Sequence, residues 1–371
     1  MGVLSWIMGI LAAVVIAVLG IVYFFFGGGA AHQDFSGPPR FPDGTLEVVA
    51  VYDRPIGHVA ISGDGRLFFT VHPASEATGA TLLELTGDQP QPFPTAEAQA
   101  MLESPLGLTV DAQNRLWVLD SGRHGFGQPK LVAFDLATGA VVHNHAFAPE
   151  VAGRGSFLHD LVVSADGQWI YIADSGILAK RAGLVVYSVS TEQARRVLSR
   201  HETVAPRSLV IRNPIKDMRY YEGLFELRAG VSGLGLSPDG AWLYFAAMNH
   251  DSLYRVPTAL LNDPRLPHER LAVDIETTGS KPLSDGLTVD AAGTVYVTDV
   301  EHQSVNAFDV EGQQTTVVQD QRLRWADNLT FGPDGMLYIA DSGLPHVLLE
   351  GGDAVAAHAP YAIWRLDVSG E

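Results

Sequence analysis

The chain has 371 residues, a formal charge of −18, 47% hydrophobic residues and no cysteine. That apolar share supports a sizeable core and excludes a disordered chain, and the acidic balance argues against a nucleic-acid partner, which needs clustered Lys and Arg. Without cysteine there are no disulfides, thiol nucleophiles or cysteine-based zinc sites.

From Val3 to Phe26 the sequence VLSWIMGILAAVVIAVLGIVYFFF carries no charge. A bilayer core needs about 20 such residues as a helix, and Trp6 at one end with Tyr23 to Phe26 at the other suits the two interfaces. No basic segment precedes it, which favours an uncleaved transmembrane anchor over 1–26. A signal peptide cut near Gly29-Ala30-Ala31 is the alternative. Arg40 and Arg54 follow the helix, a bias towards a cytoplasmic domain. Residues 27–40 have the glycine, alanine and proline composition of a flexible linker, so the folded domain is expected over 41–371.

Six segments then share one pattern: an apolar-alternating run, a tight polar turn, and a second run rich in aromatic and β-branched residues. They begin at His58, Gly107, Asp160, Gly233, Gly286 and Asn328. Each reads as a β-hairpin, with turns such as Ser-Gly-Asp-Gly (62–65) and Ser-Pro-Asp-Gly (237–240) between strands of Val, Ile, Leu, Trp and Tyr. A third apolar-alternating run follows in every unit, for example LVAFDL (131–136) and AIWRLDV (362–368). Units of three strands plus a variable fourth, recurring about every 40–55 residues, are propeller blades. The expected fold is therefore an all-β, six-bladed β-propeller preceded by one transmembrane helix. The last unit ends near Val368 and a spare run, LEVVAVYD (46–53), precedes the first, so this run is expected to complete the last blade and close the ring.

In a propeller the first strand of each blade lines the axis and the second runs back. Residues just before the first strands and just after the second strands therefore share a face. More than half of the 13 histidines fall there, namely His58, His72, His124, His159, His250, His302 and His346, together with Asp120, Asp160, Asp174, Asp285, Asp299, Asp327 and Asp341. Carboxylates around a narrow axis repel one another unless they share a cation or a proton. Asp285, Asp327, Asn328 and Asp160 are the inner-ring metal candidates. Oxygen donors favour Ca²⁺ or Mg²⁺, with Ca²⁺ expected here, whereas a histidine majority would favour a transition metal. The Asp-Ser-Gly triplets at 120–122, 174–176 and 341–343 read as turns in which the carboxylate accepts backbone N–H groups. A wider interval before the fourth unit holds a basic insertion with Arg195, Arg196, Arg207, Arg212, Lys216 and Arg219. It is either a solvated outer strand and loop or, folded over the histidine-rich face, an anchor for an anionic group.

RPIGHVAISGDGRLFFTV (54–71), SPLGLTVDAQNRLWVLDSG (104–122), FLHDLVVSADGQWIYIADSG (157–176) and VSGLGLSPDGAWLYFAAM (231–248) resemble the bacterial branch of the yellow/major royal jelly protein family, over about residues 45–368. The resemblance implies a six-bladed propeller, usually secreted, and it places the domain in the periplasm or outside the cell, anchored or released by cleavage. More distantly the chain is similar to gluconolactonase-type propellers, which hold one divalent metal on the axis. By that similarity Asp285 matches an aspartate ligand, Ser232 stands at an asparagine ligand, His159-Asp160 at an Asn-Asp pair, and Gly57-His58 at a glutamate ligand. Two of the three expected ligands are thus replaced.

Three functions are compatible with these residues. The first is a small-molecule-binding propeller whose polar pocket, with His124, His250, His302 and Ser232 as ligand contacts, takes a small, cationic molecule. The second is a metal-dependent lactonase, with a cation near Asp285, Asp327 and Asn328 and with His159 or His58 as general base. The third, by family analogy, is a tautomerase using the same histidines.

Overall fold

The computed structural model describes residues 2–75 and 78–369. Among these, six four-stranded antiparallel sheets follow one another along the chain as blades. Blade 1 starts with Ile56–Ile61 and Leu67–Val71, blade 2 with Pro105–Val110 and Arg115–Asp120, and blade 3 with Leu158–Val163 and Trp169–Asp174. Blade 4 starts with Val231–Leu236 and Trp242–Ala247, blade 5 with Leu287–Val289 and Val295–Asp299, and blade 6 with Ala326–Phe331 and Leu337–Asp341. The hairpin turns behave as their composition requires. At Gly240, for instance, φ is +69° with open space around the α-carbon, so the glycine serves conformation rather than packing.

The ring closes through Glu47–Tyr52, which pairs antiparallel with Tyr361–Leu366 as the outer strand of blade 6. First and last segments of the domain thereby share one sheet, and no blade is left short of a strand. Apolar layers join neighbouring blades. Phe68, Leu116, Val118 and Phe134 pack between blades 1 and 2, and Tyr171, Leu184, Leu243 and Phe245 between blades 3 and 4. Each such side chain contributes about 1.5–3 kcal/mol on full burial.

Two features of the inner strands position the site. In five blades the pairing between first and second strands shifts register near its start: between Ile56 and Val59, Pro105 and Leu108, Leu158 and Leu161, Val231 and Gly233, and Ala326 and Asn328. An extra residue there bends the strand and re-aims its side chains. His58, His159, Ser232 and Asp327 all lie within these irregular steps. The inner strands also approach one another closely. A Cβ on Gly107 would stand 2.8 Å from the His159 carbonyl, and one on Gly286 2.8 Å from the Asp327 carbonyl. At the equivalent positions of blades 3 and 6 polar side chains bridge instead: Asp160 accepts from the Leu234 N–H at 3.0 Å, and Asn328 from the Val59 N–H at 3.2 Å.

Helix α1 (Val3–Phe26) precedes the propeller. Over Ser5–Phe26 it is long and apolar enough to cross a membrane, and that stretch is not buried against the rest of the chain. Its last turn reaches the propeller, where Phe26 stacks on Phe225 with ring centroids 5.9 Å apart and Arg228 donates to the Gly27 carbonyl at 2.7 Å. Within residues 27–40, expected from composition to run free, the backbone is tied down. Ala30–Ala31 pairs in parallel with Leu209–Val210, Gly37 donates to the Thr316 hydroxyl at 2.9 Å, and Arg40 to the Thr316 carbonyl at 2.9 Å. Small side chains let this segment lie close against strand edges whose backbone groups are otherwise unpaired.

Candidate functional site

On the face of the inner-strand starts a cavity of about 760 Å³ opens towards the axis. Val71, Ile177, Leu227, Met248 and Leu344 give it apolar walls, and its polar lining comprises His72, His124, His159 and Asp285 together with Thr81, Glu103, Ser104, Arg123 and Glu350. Phe157 also lines it and stacks on His124, with centroids 4.6 Å apart. Deeper on the axis lie His58 and Asp327, exposed by only 1% and 0%.

The polar groups here are crowded. The His58 ring nitrogens stand 3.7 Å from an Asp160 oxygen and 3.7 Å from an Asp327 oxygen. His72 Nε2 is 3.5 Å from the other Asp327 oxygen, and His159 Nε2 is 3.2 Å from Asp285 Oδ1. Hydrogen bonds fix some of these groups. His159 Nδ1 lies 3.2 Å from the Ser232 carbonyl. A carbonyl only accepts, so the proton is on Nδ1 and the Nε2 lone pair faces the axis. His72 Nδ1 accepts from the Ala74 N–H at 3.1 Å. The Trp325 indole donates to Asp285 Oδ2 at 2.7 Å. Others find no partner among the described residues: both His58 ring nitrogens, both Asp327 oxygens and Asp285 Oδ1.

Burial governs the charges. It lowers His72 to about 3 and His159 to about 4, and takes His58 well below the usual imidazole value, so all three are neutral near pH 7. Burial also raises Asp160 to about 8 and pushes up Asp285 and Asp327, the latter helped by the Asp285 charge. Buried Lys281 is brought down to about 7 for the same reason.

The residues singled out from sequence divide accordingly. His58, His159, Asp285 and Asp327 converge on the axis. Asp160 is adjacent, but its two oxygens accept backbone N–H groups from Leu161 and Leu234, and the Asn328 side-chain oxygen is used by Val59. These two residues hold the inner strands together. Ser232 donates its hydroxyl to the Asp285 carbonyl at 2.9 Å and orients His159 through its own carbonyl, so it acts behind the site rather than in it. His124 lines the cavity. His250 and His302 do not: His250 bonds to the Ser252 N–H, and His302 pairs with Asp299 at 2.8 Å and faces Asp34. Both follow second strands on the expected face, but His250 is buried against Tyr254 and His302 is held by Asp299, each away from the cavity.

The Asp-Ser-Gly aspartates are turn residues. In each, one oxygen accepts both the N–H of the glycine two residues on and an N–H at the entry to the blade: Ser104 for Asp120, Phe157 for Asp174, Trp325 for Asp341. Five of the six basic residues named in the insertion are spent on pairing, and the Arg212 side chain is exposed. Arg195 donates to the Leu261 carbonyl, Arg196 to Asp174, Arg207 to Asp251, Lys216 to Glu350 and Arg219 to Glu226. Trp325 and Lys281 escaped the sequence reading. Trp325 stands immediately before a first strand, and nothing in its local sequence marks it as a hydrogen-bond donor to the axis. Lys281, between Ser280 and Pro282, carries no local signal of burial.

The family model for the major royal jelly protein matches residues 103–354. The chain belongs to this family. Among its relatives, major royal jelly protein 3 of Apis mellifera is 27% identical over 238 residues, covering 58% of this chain and 42% of the relative. Major royal jelly protein 1 of the same species is 32% identical over 165 residues, covering 41% of this chain and 36% of the relative. The chain spans less than half the length of these family members. In the family match His159, Asp285 and Asp327 are included, whereas His58 lies before it. Solved structures of like fold include a gluconolactonase from Xanthomonas campestris (TM-score 0.54, 19% identity, 91% of this chain and 97% of that one). A calcium-binding regucalcin from Agrobacterium tumefaciens is similar too (TM-score 0.52, 15% identity, 86% and 93%).

Proposed function

We propose that this family member is an anchored, extracytoplasmic propeller that binds a small molecule in the axial cavity, above a divalent cation. One observation carries the reading: a cavity of about 760 Å³, apolar on its walls, ends in buried imidazole and carboxylate groups. Enclosed pockets with few convergent polar groups are the usual form of small-molecule sites. A cation suits the floor because unpartnered buried donors and acceptors there cost free energy that coordination would offset. His58, His159 and Asp327 would hold it, and when bound it would polarise an oxygen of the ligand. Neutral His124, stacked on Phe157, offers an unpartnered Nδ1 to the ligand. The regucalcin named above is a calcium-binding protein, which supports a divalent cation in this fold. Helix α1 supplies the anchor, and the usual secretion of the family supports the extracytoplasmic side.

A second reading, a metal-dependent lactonase, is favoured by neutral His124 on the cavity wall, whose unpartnered ring nitrogen is free to accept a proton from water. The same test separates the two. Six-carbon lactones and small aromatic amines are titrated calorimetrically into the full-length protein and into a Leu227→Glu variant, with acid release followed in parallel. Saturable binding without turnover, lost in the variant, supports binding, and acid release lost in the variant supports the lactonase. No heat from either panel, or binding that survives the substitution, removes the axial pocket from both readings.

A further inference from the structure

Three of the buried axial residues form a tighter group than the rest. His58, His159 and Asp327 each offer one ligand atom, and these atoms lie within 4.8 Å of one another. Among the described residues, neither His58 nitrogen and neither Asp327 oxygen has a hydrogen-bond partner. Native interiors rarely leave such groups unsatisfied. A buried water is able to bridge several of these atoms, whereas a cation takes a lone pair from all three residues at once and also offsets the carboxylate charge.

Each of the three is held by structure that does nothing else at the site. They come from irregular first-strand steps of blades 1, 3 and 6. Asn328, next to Asp327, bonds to Val59, next to His58, across the ring seam at 3.2 Å. Asp160, next to His159, bonds across to blade 4 at 3.0 Å. The Ser232 carbonyl sets the His159 tautomer so that Nε2 is the free donor. Such outer contacts are what orient metal ligands.

The donor set decides the ion. Ca²⁺ takes six to eight oxygen ligands, yet the Asp160 oxygens and the Asn328 oxygen are already committed to backbone N–H groups and one Asp285 oxygen to Trp325, which leaves the Asp327 carboxylate and a single Asp285 oxygen. Two imidazoles and one carboxylate instead suit a first-row transition-metal dication such as Zn²⁺, Co²⁺ or Fe²⁺. We propose that His58, His159 and Asp327 form a three-ligand centre for a first-row transition-metal dication and that Ca²⁺ does not compete for it. This deepens the axial-site reading by naming its cation, but it does not depend on any ligand in the cavity. His159 belongs to both the triad and the cavity lining. Three protein donors leave coordination positions for a molecule arriving from that side.

The test uses the full-length chain in detergent, stripped with chelator and titrated with Co²⁺, Zn²⁺ and Ca²⁺. Visible absorption of Co²⁺, metal content after dialysis and melting temperature are the readouts. The expected result is one Co²⁺ or Zn²⁺ per chain with a raised melting temperature, undisturbed by Ca²⁺ in large excess. His58→Ala, His159→Ala and the near-isosteric Asp327→Asn should each weaken Co²⁺ binding by more than the roughly 10–100-fold that outer-shell changes cost, and His302→Ala should not. Asp327→Asn removes a donor charge without a cavity, so its metal-free melt reports whether the fold is intact. Tighter binding of Ca²⁺ than of Co²⁺, no bound Co²⁺, or Co²⁺ binding unaffected by all three substitutions would overturn the proposal. Failure of the lactone and amine titrations would leave it standing.

Discussion

Trp325 and Asp285 show how single residues carry the site. The indole N–H donates at 2.7 Å to one oxygen of a carboxylate that is only 1% exposed. Trp325→Phe deletes the donor and also removes part of a fully buried ring. It should cost at least about 1–3 kcal/mol, the usual penalty for leaving a buried acceptor unpaired, read as a lower denaturant midpoint with unchanged slope. His302 provides a pH signature away from the axis. The hydrogen bond that His302 Nδ1 donates to Asp299, with nearby negative charge, raises its pKa above the usual value. A raised folded-state pKa means that the contribution is fully present below the unfolded value of about 6.5. It is lost as pH rises through the folded value. His302→Ala should therefore lower the melting temperature more at pH 5.5 than at pH 9. An equal deficit at both would assign the loss to packing alone.

At the level of elements, the inner strands do two jobs at once. Their irregular steps turn His58, His159 and Asp327 towards the axis, and their close spacing locks those side chains in place. Gly107 sits where blades 2 and 3 meet, with the His159 carbonyl 2.8 Å and a Leu161 methyl 3.0 Å from any added Cβ. Gly107→Ala would have to push His159 and its strand aside. It should destabilise the fold by about 1–3 kcal/mol, as overpacking does, and weaken metal retention with it. A calorimetric melt together with metal content after dialysis would read both effects, and loss of stability with full metal retention would contradict the shared geometry.

For the whole molecule, closure of the ring is the structural decision with the widest reach. Glu47–Tyr52 joins Tyr361–Leu366, and Asn328 and Val59 bond across the same seam. Two of the triad residues, His58 and Asp327, lie on opposite sides of it, so the site exists only in the closed ring. Truncation to 41–371 removes the anchor and should leave a soluble propeller with cooperative melting. Truncation to 54–371 also removes the closing strand. It should expose the edge of blade 6 and give an aggregating protein without cooperative melting, as seen by size-exclusion chromatography and circular dichroism. A sharp melt in the shorter protein would show that the seam contributes little.

Local pattern was enough for the architecture. Period-two alternation, Asp-Gly turns and a spare strand before the first repeat are properties of neighbouring residues, and they specified six hairpins, the closing strand and the apolar first helix. The same register placed the histidines and aspartates on one face, because strand order alone dictates which ends lie together. Which of those residues meet was not legible. His250 and His302 share the face with His58 and His159 but are taken up by Ser252 and Asp299, Asp160 and Asn328 are taken up by backbone N–H groups of the next blade, and Trp325 enters from a loop. Those outcomes depend on one-residue irregularities and on distances between strands far apart in sequence. Only the packed ring sets them, because convergence on an axis is a property of six blades together and of none alone.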